Sequence, residues 1–246
     1  MSIVTIALFA LCASVLVSAE DVDLPEGVKT CKRDADDYAS CMRLAIQESW
    51  PIFIRGVPEL DIPVMDPFVV DYHEGNYKLG AVTGKFITKN TNTYGLAQAR
   101  FLSVKPQHKD DRFSLEIDFE MPKVLIEGDY KADGIVGSFK VGGKGKFNIS
   151  MEDVRAMVVL EGPVVNDKWI IEYVSLTPEV GHMKIWASDL FYGNEELTKA
   201  ALAFVNEYWP MLYHGMLPYA AEAWNAHLRD FIGNIFSKLS FVKTFP

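Results

Sequence analysis

Apolar residues recur along the chain with two different periods, and the change of period divides it into three parts. From Asp34 to about Ile54, Tyr38, Cys41, Met42, Ala45, Ile46 and Phe53 return at helical spacing, with Asp37, Arg43, Gln47 and Glu48 between them. This predicts one amphipathic helix, capped by Asp34 with Asp36 and Asp37 in the favourable first turn. Pro51 should kink or end it, and Gly56-Val57-Pro58 should stop it if Pro51 does not. The stretch from Gly56 to Pro63 then reads as an extended strap carrying Leu60 and Ile62.

From about Val69 to Ala187 the period falls to two. Phe113, Leu115, Ile117, Phe119 and Met121 alternate with Ser114, Glu116, Asp118 and Glu120, which predicts a strand with one apolar and one acidic face. Val124, Ile126 and Tyr130 alternate with Lys123, Glu127 and Lys131. Phe139, Val141, Phe147, Ile149 and Met151 alternate with Ser138, Lys140, Lys144, Lys146, Asn148 and Ser150. Ala132-Asp133-Gly134 and Gly162-Pro163 read as turns between strands. Val154 to Val165 and Trp169 to Thr177 are more continuously apolar, and His182 to Trp186 reads as a short last strand.

Helical spacing returns at Asn194. Trp209, Leu212 and Met216 form a stripe, Pro210 and Pro218 interrupt it, and Trp224, Leu228, Phe231, Ile235 and Leu239 carry it onward, with Arg229, Asp230, Asn234 and Lys238 on the outside. The order of helix, long antiparallel sheet and kinked C-terminal helix is that of an α+β fold. A sheet apolar on one face must cover that face, and wrapping around the helices would do so.

Composition changes the picture at the N-terminus. Ile3 to Val17 is uncharged and apolar and ends at Val17-Ser18-Ala19, the pattern of a signal peptide over residues 1–19 that is cut after Ala19. Residues 20–246 then form a single domain in an extracellular fluid. No later stretch is apolar enough for stable membrane insertion. A formal net charge of -9 disfavours nucleic acid and anionic membrane as partners. Cys12 leaves with the signal, so Cys31 and Cys41 remain as an even pair in an oxidising compartment and are expected to be bonded. One continuous helix from 31 to 41 would hold their Cα atoms about 15 Å apart, beyond the roughly 7 Å limit of a disulfide. Cys31 should therefore lie on a strap that folds back along the helix.

Motifs for catalysis are missing. There is no G-x-S-x-G or H-E-x-x-H, and His73, His108, His182, His214 and His227 have no ligand spacing, so no metal site, cofactor or enzymatic activity is expected. Gly142-Gly143-Lys144-Gly145-Lys146 lacks the phosphate-loop spacing, and its glycines should let another segment approach the strand closely. Asn148-Ile149-Ser150 is an N-glycosylation sequon on the polar side of its strand.

Several separated stretches resemble the insect takeout and juvenile-hormone-binding family. They are Gly56-Val57-Pro58-Glu59-Leu60-Asp61-Ile62-Pro63 with Asp66-Pro67-Phe68, the E-G-x-Y-x-x-x-G pattern from Glu127 to Gly134, the turn from Asp189 to Leu197, and Phe204-Val205-Asn206-Glu207-Tyr208-Trp209. The early Cys pair is similar too. The resemblance implies a long curved antiparallel sheet wrapped around a long helix, with an internal hydrophobic tunnel for a terpenoid, fatty-acid or other lipid-like molecule, juvenile hormone among the candidates. Hormone-binding members usually carry a second disulfide, so two mature cysteines place the chain nearer the takeout branch. The expected lining is Trp50, Phe53, Leu60, Ile62, Leu115, Ile117, Phe119, Phe139, Val141, Trp209 and Leu212. The rival from another class is a secreted interaction protein with a filled core that acts through a receptor.

Overall fold

The computed structural model describes residues 21–79, 82–136 and 139–246, without the side chains of Tyr77, Lys78, Leu79, Val82, Val136, Phe139, Tyr219 and Ala223. The segment read as a signal peptide, residues 1–19, lies outside the described residues.

Helix α1 spans Tyr38–Ile54 and buries Tyr38, Met42, Ala45, Ser49 and Ile54. It begins three residues later than expected. Asp37, not Asp34, is its N-cap, no side chain caps it, and its first turn holds no acid, so the predicted electrostatic start is absent. Pro51 does not end it: the helix runs through to Ile54 and stops at Gly56, whose positive φ of 87° suits glycine. The Cys31–Cys41 disulfide forms with Cα atoms 5.9 Å apart, and Cys31 lies on the preceding strap as expected. The stretch after α1 is not extended throughout. Pro58–Leu60 makes a 3-10 turn closed by a bridge between Val57 and Ile62.

Seven strands follow: β1 (Phe68–Leu79), β2 (Val82–Tyr94), β3 (Arg100–Lys109), β4 (Arg112–Val136), β5 (Phe139–Val165), β6 (Lys168–Trp169) and β7 (Tyr173–Ala187). All pairs are antiparallel. The stretches read as turns at 132–134 and 162–163 are not turns, since β4 runs 25 residues and β5 27 residues straight through them. The glycine of the second stretch serves a close approach instead. A Cβ on Gly162 would collide with the Ile170 carbonyl. Likewise His182 to Trp186 is no separate strand but the end of β7, and the Trp169 to Thr177 run divides between β6 and β7.

The curled sheet changes phase along one line. In β4 the buried positions are odd up to Met121 and even from Val124, and in β5 they shift between Met151 and Val154. Pro122 and Asp153 sit at the switch, Asp153 with φ 52°, and Gly181 of β7 packs against Asp153. The first half of β4 pairs with β3 and the second half with β2, so the sheet exchanges neighbours where it exchanges faces.

Helix α2 (Glu195–Lys238, 44 residues) is N-capped by Asn194, whose side chain accepts from Leu197 N. It contains Pro210 and Pro218 and is broken at Tyr208 (φ -104°, ψ 15°), two residues before Pro210, which removes a helical N–H and crowds the preceding turn. A last turn, α3 (Phe241–Thr244), is capped by Ser240. None of the described helices is long and apolar enough to cross a membrane.

Candidate ligand-binding site

The concave side of the sheet is built from the alternate residues of three strands. In β4 it carries Phe113, Leu115, Ile117, Phe119 and Met121, then Val124, Ile126 and Tyr130. In β5, paired in register, it carries Leu160, Val158, Ala156 and Val154, then Met151, Ile149 and Phe147. In β7 it carries Val174, Leu176, Val180 and Met183. Tyr130 is the one ionisable side chain in this set. Its hydroxyl donates to the Asp189 carbonyl, and burial pushes its phenol above the ordinary value.

The convex side is the polar one. Lys105 pairs with Glu116, Arg155 with Asp118, Arg100 with Glu120 and Lys123 with Glu152. The acidic row of β4 is thus neutralised by bases from β3 and β5, and the Arg155 guanidinium holds the Asp118 carboxyl below its usual value. Asn148 lies on this side, half-buried between Glu127 and Trp186 of the adjoining strands.

Two sheet edges next to the concave face are closed by helices that bond directly to strand backbone. At β3, Gln47 of α1 donates to the Ala99 carbonyl at 3.2 Å and accepts from Phe101 N at 2.9 Å. Arg43 reaches Phe101 O at 3.2 Å, and Trp50 Nε1 donates to Leu96 O at 2.8 Å. At β7, Asn206 of α2 donates to and accepts from Ile185, both at 2.8 Å. Farther along, Tyr213 donates to Pro178 O at 3.0 Å, Trp224 to Leu176 O at 3.1 Å, and Asn225 accepts from Leu176 N at 2.9 Å. Gln47 and Asn206 each supply a donor and an acceptor as a neighbouring strand would, and Trp224 with Asn225 do so together at Leu176, which satisfies edges otherwise open to pairing. The helices are thereby placed along two borders of the apolar face.

Between these borders, burial is uneven. At one end Phe113, Trp169, Phe236, Phe241 and Phe245 form a filled aromatic cluster, with Phe113 and Trp169 only 1 % exposed and their ring centroids 4.7 Å apart. At the C-terminal end of α1, Val57, Leu60, Ile62 and Leu239 form a second filled region with Phe53, Phe231 and Ile235 against it. In the middle, Ala99, Phe101, Met121, Val124 and Val154 are buried, and Trp50, Ile117, Phe119, Ile126, Met151 and Val180 pack half-buried against them, with the Trp50 ring meeting Phe101 edge-on at 5.2 Å.

The expected lining residues therefore separate. Trp50, Ile117 and Phe119 come together in the middle region. Leu115 belongs to the aromatic end, and Phe53, Leu60 and Ile62 to the region beside the 3-10 turn, with Leu60 0 % exposed. Val141, Trp209 and Leu212 are half-buried outside these groups. The Phe139 side chain lies outside the described residues. Sequence reading passed over Val180 and Leu176, because Pro178 and Gly181 interrupt the alternation of β7. It also passed over Gln47, Asn206 and Asn225, polar residues whose partners are backbone groups distant in sequence.

The glycines of β5 behave as expected. The turn from Ser188 to Gly193 lies on the β5 edge beyond β7, with Gly142 N bonding Leu190 O at 3.1 Å and Tyr192 N bonding Gly142 O at 3.2 Å, and a Cβ on Gly143 would strike Asp189 O. Among the described residues no group of three or more His, Cys, Asp or Glu is arranged to hold a metal.

No curated protein sequence matches the chain significantly. Among solved structures, the crystal structure of Takeout 1 from Epiphyas postvittana superposes with a TM-score of 0.73 at 23% identity, over 89% of this chain and 99% of that one. A lipopolysaccharide binding protein aligns with a TM-score of 0.37 and 14% identity over 81% of this chain and 38% of its own, too distant to inform the fold. The first likeness carries the curled sheet and its long helix. The family profile described as haemolymph juvenile hormone binding protein matches residues 6–246, nearly the whole sequence, and the chain belongs to that family.

Proposed function

We propose that the protein is a secreted, non-catalytic carrier that encloses a small hydrophobic molecule between its concave sheet face and its two long helices. The observation that carries this reading is that, around the buried patch of Phe101, Met121, Val124 and Val154 on the concave face, Ile117, Phe119, Ile126, Met151 and Val180 stay half-buried. Apolar side chains left half-buried between packed ends are what the wall of a ligand space requires. The family name supports a hydrophobic ligand, and terpenoids and fatty-acid derivatives are the candidates. Enclosing about 400 Å² of apolar ligand surface yields about 10 kcal/mol, enough for micromolar binding when the space is preformed.

Within this reading Trp50, Ile117 and Phe119 contact the ligand directly, joined by Val141, Trp209 and Leu212 farther along, while Leu60, Ile62 and Leu115 hold the ends closed. The test is to extract protein purified from its native fluid with organic solvent and to analyse the extract by mass spectrometry. A recurrent apolar compound, stoichiometric with protein, is the expected result. Empty protein that also fails to bind N-phenyl-1-naphthylamine overturns the reading.

A further inference from the structure

Three polar residues are fully buried among the described residues: Ser49, Thr198 and Ser240. Thr198 accepts from Leu190 N, and Ser240 donates to Asp167 and accepts from Lys243 N. The Ser49 hydroxyl, in a residue 2 % exposed, has no partner. A buried hydroxyl without a hydrogen bond is costly, and such a group in a native protein calls for a partner supplied from elsewhere.

Its position on α1 says where that partner comes from. Ser49 shares the buried stripe of Met42 and Ala45, and its neighbours one helical turn away, Ala45 and Ile46 before it and Ile52 and Phe53 after it, enter three different apolar regions. Ser49 thus stands where these regions meet, beside Trp50 of the half-buried middle. The Tyr38 hydroxyl also lacks a partner, but it lies within the filled aromatic end. Among the described residues the concave face of β4, β5 and β7 carries no Asp, Glu, Lys or Arg, and on α1 the Arg43 guanidinium donates to the Phe101 carbonyl.

We infer that Ser49 is the polar contact for the head of the bound ligand, and that this head is an uncharged hydrogen-bonding group such as an alcohol, ester or ketone. The inference rests on the carrier reading above. An ionised carboxylate brought to Ser49 would stand among the apolar residues of these three regions while Arg43 is engaged by the Phe101 carbonyl, and burying it there is strongly unfavourable. A carboxylic acid must therefore enter protonated, so its apparent affinity falls about tenfold for each pH unit above its pKa, whereas the matching ester is indifferent to pH.

The experiment uses the full mature chain and displacement of N-phenyl-1-naphthylamine by dodecanol, methyl dodecanoate, dodecane and dodecanoic acid from about pH 5.5 to about pH 8.5, a range that lies above the ordinary carboxylic-acid pKa. Dodecanol and the ester should displace the probe equally at every pH, and the acid progressively less as pH rises. Ser49→Ala should weaken dodecanol about five- to tenfold relative to dodecane, and Ser49→Thr, which keeps a hydroxyl, should restore most of it. The thermal midpoint of Ser49→Ala should not fall, since an unpaired hydroxyl is removed. Acid binding that ignores pH, or a dodecanol to dodecane ratio unchanged by Ser49→Ala, overturns the inference while leaving the carrier reading intact. Failure of the probe to bind, and of all four compounds with it, overturns the carrier reading itself.

Discussion

Ile117 is the residue at which packing and ligand space are most easily told apart. It touches both the aromatic end and the half-buried middle, and it stays only half-buried itself. In a filled core, Ile117→Trp would force a larger ring into native packing at a cost of typically about 1–3 kcal/mol. Beside a ligand space, the ring has room. The expected outcome is a thermal midpoint close to the parent and a clear loss of N-phenyl-1-naphthylamine binding. A strongly destabilised variant, or one that binds the probe normally, shows that the position borders no ligand space. Asp118→Asn, on the convex side, is the matched control and should leave binding unchanged. Its own effect is on pH dependence. Arg155 depresses the Asp118 carboxyl, so the pair stabilises the fold above the unfolded value of about 4 and ceases to as pH falls through the lowered one. The small difference in midpoint between parent and Asp118→Asn should thus shrink in acid.

At the scale of elements, the two helices depend on a few amides more than their hydrophobic patterns suggest. Asn206 satisfies both the N–H and the C=O of Ile185 on the edge strand. Asn206→Leu leaves both without their partner, at about 2–3 kcal/mol, and loosens the N-terminal half of α2 from β7. Hydrogen exchange should report it directly, with faster exchange at the Ile185 amide and little change at Leu176, which Asn225 holds separately. Unchanged exchange at Ile185 means the amide is ornamental. This contact was not legible in the sequence, where Asn206 is simply a polar residue in a helix. The alternation in β4 was legible because one face is buried and the other charged, and it placed Ile117 inward and Asp118 outward. The turn read at Gly162-Pro163 went wrong because glycine marks close approach as well as chain reversal, and only the neighbouring segment distinguishes them, while Ala132-Asp133-Gly134 runs on in register between β2 and β5. The helix start at Asp34 went wrong because the disulfide to Cys31 governs that stretch, and a cap residue does not by itself nucleate a turn.

At the scale of the whole molecule, the segment from Asp21 to Arg33 and the C-terminal turn meet at one end of the sheet. Val22 N bonds Lys238 O at 2.9 Å, Asp23 pairs with Lys243 at 3.1 Å, and Arg33 N bonds Pro246 O at 2.7 Å. Arg33 also donates to the Phe245 carbonyl and lies over the Phe241 ring at 4.9 Å. The disulfide anchors the strap carrying Arg33 to α1, so the N-terminal segment, α1 and the C-terminal turn close one end of the curled sheet together. Phe245 is the centre of that closure, 7 % exposed, with ring centroids 4.8 Å from Phe113 and 5.2 Å from Phe241. Phe245→Ala should cost about 3–5 kcal/mol, as buried phenylalanines do, against a total stability of about 5–15 kcal/mol. The variant should stay folded, unfold at distinctly lower urea, and release N-phenyl-1-naphthylamine faster than the parent because one end no longer seals. Phe204→Ala, at an exposed position 53 % accessible on α2, should change stability by no more than about 0.5 kcal/mol and leave the release rate alone. A Phe245→Ala protein that is destabilised yet releases the probe at the parental rate would mean that this end supports the fold without closing the ligand space.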